Sequence, residues 1–253
     1  MSGTETIFHS IPQFMGTCLV LVFAQTVYVA FGFGVGLIVV GALALFFAEI
    51  RDVVVLLFFI SAPAELYVVG RAWRLVPWRE VLPIATGLLL GIPLGTALLR
   101  LGEPTFLLTA LGVVLIGSGG AFLAAAPSSV TRLPGWVAPP IGLVSGVLSG
   151  LFGTGGPPLI LYYQATGTDK ATFRLCLMAL FLMTSIVRLV AYVTAGLLTA
   201  PRVLSGLAVL PAAVLGAFIG QQVHLQLSES TFRRLVSLAL IAIGMLLLAR
   251  QLT

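Results

Sequence analysis

Ten apolar stretches run through the sequence, at about 12–31, 34–48, 52–70, 81–100, 104–125, 137–152, 157–165, 171–196, 203–222 and 230–250. Short polar or charged breaks separate most of them, among them Glu49-Ile50-Arg51-Asp52, Leu101-Gly102-Glu103-Pro104 and Thr166 to Lys170. The intervening residues cannot make a water-facing shell. Charged residues are 8% and hydrophobic residues 59% of the chain, against about 25% and about 45–50% in a soluble domain. Such a chain belongs in lipid. Hydrocarbon offers no partner to bare backbone N–H and C=O groups, so spanning segments must be helices or closed barrels. These runs are continuously apolar rather than alternating, which points away from a barrel. A spanning helix takes about 20 residues, so about eight to ten membrane segments fit and almost nothing is left for a soluble domain. The expected fold class is an all-α integral membrane protein.

The same scarcity of polar chemistry sets several functions aside. Cys18 and Cys176 both fall in apolar stretches and read as small buried hydrophobes, not a metal cluster or disulfide framework. The net charge is +5, but the bases are scattered singly between spans, so no nucleic-acid stripe exists. Lys170 follows Asp169 rather than glycine, which removes a phosphate loop of the ATPase kind, and there is no His-Glu-x-x-His. His9 and His224 flank spans and have no second ligand nearby. No catalytic residue, metal or cofactor is expected, and the chain is not read as an enzyme. The first eleven residues hold Glu5 and His9 but no basic region, so no cleavable signal peptide is expected.

Two stretches, 34–48 and 157–165, are too short to cross about 30 Å of hydrocarbon comfortably. Each follows a glycine cluster. Each is expected to be the second arm of a Gly-broken or re-entrant helical hairpin. The clusters also align as an internal repeat. Phe31 to Val39 matches Phe152 to Ile160, and Gly91-Ile92-Pro93-Leu94-Gly95 matches Gly216-Ala217-Phe218-Ile219-Gly220. This divides the chain into a first transmembrane repeat, 1–125, a linker, 126–136, and a second repeat, 137–253. Five apolar segments per half make the two repeats inverted. The basic residues agree with that topology. With Arg71, Arg74 and Arg79 in the cytoplasm, eight bases fall inside, four outside, and Arg188 within the membrane. Both termini are then outside, in a multi-pass protein of the cell (inner) membrane.

The glycine breaks carry the chemistry. In the second half, Gly142, Gly146 and Gly150 are spaced by four, which bares one helix face for close approach. The chain then breaks at Gly153, Thr154, Gly155 and Gly156, and Pro157 suits the first turn of the next helix. A helix start inside the membrane is an anion site, because its N–H groups and dipole face the ligand. Gly32, Gly34 and Gly36 offer the same device in the first half. Two breaks in inverted halves are the architecture of many secondary-transporter sites. Charge buried in lipid is costly and therefore usually functional. Only Glu65 and Arg188 lie deep in apolar stretches. Arg188 can hold an oxyanion bidentately, whereas Glu65 is a candidate to orient Arg188 or to carry a coupling proton. Arg174, at the start of a span, can steer anions or simply mark topology. Gln25, Tyr28, Ser145, Ser149 and Gln164 can hydrogen-bond a ligand or a neighbouring helix.

These residues resemble the sulfite exporter TauE/SafE family of membrane transporters. Gly150-Leu151-Phe152-Gly153-Thr154-Gly155-Gly156-Pro157-Pro158-Leu159 is similar to that family's glycine signature. Thr172-Phe173-Arg174 and Ser185-Ile186-Val187-Arg188 resemble its next helix, and Gly32-Phe33-Gly34-Val35-Gly36-Leu37 looks like the first-half signature in a Gly-Phe-Gly form. The first-half form lacks three consecutive glycines. The resemblance spans nearly the whole chain. It implies a permease for a small anion such as sulfite, an organosulfonate or a related organic anion, working by alternating access. The alternatives are a channel or transporter for a neutral or cationic solute, or a membrane scaffold subunit. The expected partners are the anionic substrate and the lipid bilayer, with homo-oligomer formation open and nucleic acid excluded.

Overall fold

The computed structural model describes residues 6–31, 34–124, 133–222 and 229–252. Gly32, Arg132, His224 and linker residues 126–132 lie outside the described residues. All regular structure among the described residues is helical. Ten α-helices follow one another: α1 (Ile11–Phe31), α2 (Val35–Leu43), α3 (Ile50–Ala72), α4 (Trp78–Leu101), α5 (Pro104–Ala124), α6 (Ala138–Phe152), α7 (Gly156–Ala165), α8 (Lys170–Thr194), α9 (Ala200–Gln222) and α10 (Glu229–Leu252). Each corresponds to one apolar stretch of the sequence. Eight are long and apolar enough to cross a membrane, α6 when taken together with the turn Gly135–Val137 that leads into it. The exceptions are α2, with 9 residues, and α7, with 10.

The helices sort into two packing units that cut across the sequence halves. The first contains Met1–Ile60, Gly102–Ala125 and Leu198–Thr253, and the second contains Ser61–Leu101 and Ala126–Leu197. The boundary passes through α3.

Lipid provides no hydrophobic force to bring helices together, so close approach of backbones must do the work. In the second unit this happens between α4 and α6. A side chain at Gly91 would strike the Leu143 carbonyl and come 2.8 Å from the Val147 nitrogen. Gly87 and Gly95 meet backbone of α6 in the same way, and Gly142, Gly146 and Gly150 meet backbone of α4. The stripe read from the sequence at Gly142, Gly146 and Gly150 therefore meets a second stripe, at Gly87, Gly91 and Gly95, in one interface.

In the first unit, Gly216 and Gly220 of α9 lie against the Val22 and Thr26 backbone of α1. Thr26 secures the contact by donating its hydroxyl to the Val22 and Gly216 carbonyls, at 2.7 and 3.0 Å. Gly112 and Gly119 of α5 pack on α10, and Gly244 of α10 packs on α5. One end of this unit is tied by polar links. Arg202 of α9 pairs with Asp52 of α3 at 2.7 Å, and Arg51 donates to the Gly102 carbonyl at 2.6 Å. Ahead of α1, the Ile7 N–H donates to Ser205 Oγ at 2.9 Å, and the Phe8 ring is buried against Phe14 and Phe47.

Candidate functional site

In the second unit the chain breaks between α6 and α7. Gly153 ends α6 at φ 71° and ψ 12°, a left-handed cap that only glycine adopts without strain. Its N–H donates to the Ser149 carbonyl at 2.8 Å. Ser145 Oγ donates to the Gly155 carbonyl, so α6 holds the break from one side. Gly155 has no room for a side chain, since a Cβ would run into both Ser145 and Ser149. On the other side, the first turn of α7 rests near Phe181 of α8, 3.5 Å from where a Cβ on Gly156 would lie.

A helix start leaves four N–H groups without helical acceptors. Pro157 and Pro158 in the first turn of α7 have none to offer, so Gly155 and Gly156 carry the remaining pair. Thr154, beside them, is 3% exposed, and among the described residues its hydroxyl finds no hydrogen-bond partner. A buried polar group left unmade costs about 1–3 kcal/mol, so such a group in a native interior calls for an explanation. Ser145, Ser149 and Thr154 thus make a buried polar lining around a glycine-opened helix end.

The structure brings Arg188 to the same helix end through a residue that the sequence reading did not single out. Arg188 is 2% exposed on α8. Its Nε donates to the Tyr192 hydroxyl at 3.0 Å, and the Tyr192 oxygen lies 3.4 Å from the carbonyl of Gly150, three residues before the break. The available signal was spacing, since Arg188 and Tyr192 are four apart on one helix face. Glu65 of α3 is buried and accepts from Ser185 Oγ at 2.5 Å. Ser185 and Arg188 are three apart, so the two buried charges share one face of α8, within electrostatic reach of one another.

Other expected residues lie elsewhere. Arg174 is exposed in the first turns of α8, about 21 Å along the helix axis from Arg188. Gly34 and Gly36 belong to the first unit, where Gly34 caps the start of α2 at φ 99°. Its sequence counterpart Gly155 has φ −73°, so the two breaks turn the chain differently at matching places. Gln25, two turns before the end of α1, is buried, and among the described residues its Oε1 has no hydrogen-bond partner.

Long apolar helices packed on glycine faces, with a charged and polar interior, define a polytopic helical membrane protein. A family model described as "Sulfite exporter TauE/SafE" matches residues 17–247, and the chain belongs to that family. It is a multi-pass membrane transporter of this type, not an enzyme. The chain is 28% identical over 221 residues to the "Probable sulfite/organosulfonate exporter TauE" of Cupriavidus necator, covering 84% of this chain and 85% of that one. It is 25% identical over 191 residues to the "Probable inner membrane transporter protein TsaS" of Comamonas testosteroni, covering 75% and 80%. No solved structure matches it significantly.

Proposed function

We propose that this transporter moves a small oxyanion, with sulfite, an organosulfonate or a related organic anion as the substrate class. In this reading the anion sits at the start of α7, on the N–H groups of Gly155 and Gly156 and the hydroxyl of Thr154, with Arg188 as counter-charge. The observation that carries it is the buried Thr154 hydroxyl, left without a protein partner beside a helix start whose dipole attracts negative charge. Gly153 and Pro157 shape that start, and Gly32, Gly34 and Gly36 supply the corresponding element from the first half. Glu65 orients Arg188 or carries a coupling proton, and Arg174 steers anions toward the protein. The names of the Cupriavidus and Comamonas relatives support the substrate class.

The two halves, 1–125 and 137–253, act as inverted repeats that expose the anion alternately to each side. Helix pairing within the units supports this. The repeat equates α1 with α6 and α9 with α4, and the observed partners are α1 with α9 and α6 with α4. Pairing by equivalents is what two repeats that exchange elements produce.

The test is a thermal-unfolding screen of the purified protein against sulfite, sulfonates, carboxylates and phosphate, followed by flux in proteoliposomes. One anion class raises the midpoint, and the rise is lost in Arg188→Ala. A response that is flat across all anions, or that survives in Arg188→Ala, overturns the reading.

A further inference from the structure

Within the second unit, α7 lies antiparallel along α8. The Tyr163 ring, near the end of α7, meets the Phe173 ring of α8 with centres 6.3 Å apart, whereas Gly156, at the start of α7, lies beside Phe181. Phe173 and Thr184 are separated by about three helical turns and so fall on one line along α8. Thr184 is therefore on the side of α8 that faces α7, about 4–5 Å beyond Phe181 and just past the first turn of α7. Ser185 is rotated about 100° from it and faces Glu65 of α3 instead. Arg188 stands one turn beyond Thr184 on the same stripe and is tied through Tyr192 to the Gly150 carbonyl.

Thr184 is 5% exposed, and among the described residues its hydroxyl finds no hydrogen-bond partner. Other helical threonines of this chain satisfy themselves locally. Thr17, Thr26, Thr109 and Thr194 each donate to the carbonyl four residues earlier in their own helix, at 2.7–3.0 Å. The Leu180 carbonyl offers Thr184 the same acceptor, and it is not taken. Gly156, unlike Gly155, is not closed in by backbone, since a Cβ there would meet nothing nearer than 3.5 Å. A hydroxyl turned away from its own helix and buried beside an intramembrane helix start is a donor placed for a negatively charged guest. We propose, building on the reading of the α7 start as the anion site, that Thr184 is a further substrate-binding residue. Its hydroxyl donates to the anion from the α8 wall, while Thr154 and the N–H groups of Gly155 and Gly156 hold it from the α7 side. A sulfite or sulfonate head carries three oxygens and can accept from both walls at once.

The test uses the purified full chain in detergent, with sulfite and methanesulfonate titrated separately and affinity read from the rise in unfolding midpoint. Thr184→Val keeps the side-chain shape and loses no internal hydrogen bond, so its ligand-free midpoint should equal or exceed that of the wild type. Its affinity for the stabilising anion should fall at least about fivefold, the loss of one hydrogen bond. Thr184→Ser, which retains the hydroxyl, should bind within about twofold of the wild type. Thr184→Ala, which cannot overpack, should weaken binding as Thr184→Val does. Wild-type affinity in both Thr184→Val and Thr184→Ala overturns the assignment, and if Thr154→Val is weakened in the same titration the α7 site itself stands. Equal weakening in Thr184→Ser and Thr184→Val also overturns it, because the loss then follows shape rather than the hydroxyl. A wild type that neither anion stabilises overturns the α7 site and this assignment together.

Discussion

Arg188 touches Tyr192 twice, donating from Nε to its hydroxyl at 3.0 Å while the guanidinium carbon lies 5.0 Å from the ring centre. The ring and the hydrogen bond together orient a charge that lipid would otherwise make expensive. The same hydroxyl lies 3.4 Å from the Gly150 carbonyl, so Arg188 is tied to the end of α6 where the chain breaks. Tyr192→Phe keeps the ring and removes the acceptor. The expected cost is about 1.5–3 kcal/mol of stability, the range for a hydrogen bond to a charged group. Thermal or denaturant unfolding in detergent measures this, and an unchanged midpoint would show that the hydroxyl does not hold the guanidinium.

Thr154→Val separates stability from binding. The Thr154 hydroxyl has no protein partner among the described residues, so its loss should leave the ligand-free midpoint unchanged or slightly raised. If the hydroxyl serves the anion, the anion-induced rise in midpoint should shrink, with affinity falling about fivefold. Titration of the stabilising anion against both proteins reads the difference. Ser145→Ala should behave oppositely, lowering the ligand-free midpoint, because it strips a buried donor from the Gly155 carbonyl.

The α4–α6 interface should tolerate no added methyl group. Gly91→Ala would drive a Cβ into the Leu143 carbonyl, and overpacking against backbone costs at least about 1–3 kcal/mol. Gly117→Ala and Gly120→Ala on α5 meet open space and should change stability by less than about 1 kcal/mol. Comparing the monodisperse yield and midpoint of the three variants checks the contrast.

Arg202 and Asp52 join α9 to α3 through an ion pair at 2.7 Å, with side chains only 15% and 18% exposed. Removing one partner leaves the other in a half-buried place, so Arg202→Ala should destabilise more than an exposed pair would, by more than about 1 kcal/mol. The double variant Asp52→Ala, Arg202→Ala should recover part of that loss. A double-mutant cycle with zero coupling would show that the pair does not hold the unit.

Asp169 caps α8 by accepting from the Thr172 and Ala171 N–H groups, both at 3.1 Å. Its carboxyl is held below the ordinary aspartate value, first by the Thr172 side chain and then by the backbone donors. A depressed folded-state value stabilises the fold above the ordinary aspartate range, and that stability is lost as pH falls below it. Asp169→Asn should retain a neutral cap and lose this acid-side dependence. Midpoints recorded from neutral pH down through the carboxylate range test it, and identical pH profiles for the two proteins would contradict it.

Much of the fold was legible because the solvent is lipid. Backbone groups there must be satisfied within each segment, so helix positions follow from the local apolar pattern. Each of the ten stretches became one helix, and the short ones became α2 and α7. The stripe at Gly142, Gly146 and Gly150 was visible as a bare face. Its partner, the stripe at Gly87, Gly91 and Gly95, was not, because contact partners depend on complementarity between segments about 50 residues apart. Gly34 and Gly155 illustrate a further gap, since aligned glycines permit many backbone angles and the surroundings choose among them.

By itself the sequence determined that this chain is a helical membrane protein, where its helices and breaks fall, and that Glu65 and Arg188 are the charges held deep within it. The tertiary structure decided what those charges touch. It set Ser185 on Glu65 and tied Arg188 through Tyr192 to Gly150. It also left Thr154 and Thr96 buried with hydroxyls that the described residues do not satisfy. The physical reason is one of range. Lipid imposes helix formation residue by residue, whereas a buried side chain's partners come from whichever helix close packing brings against it.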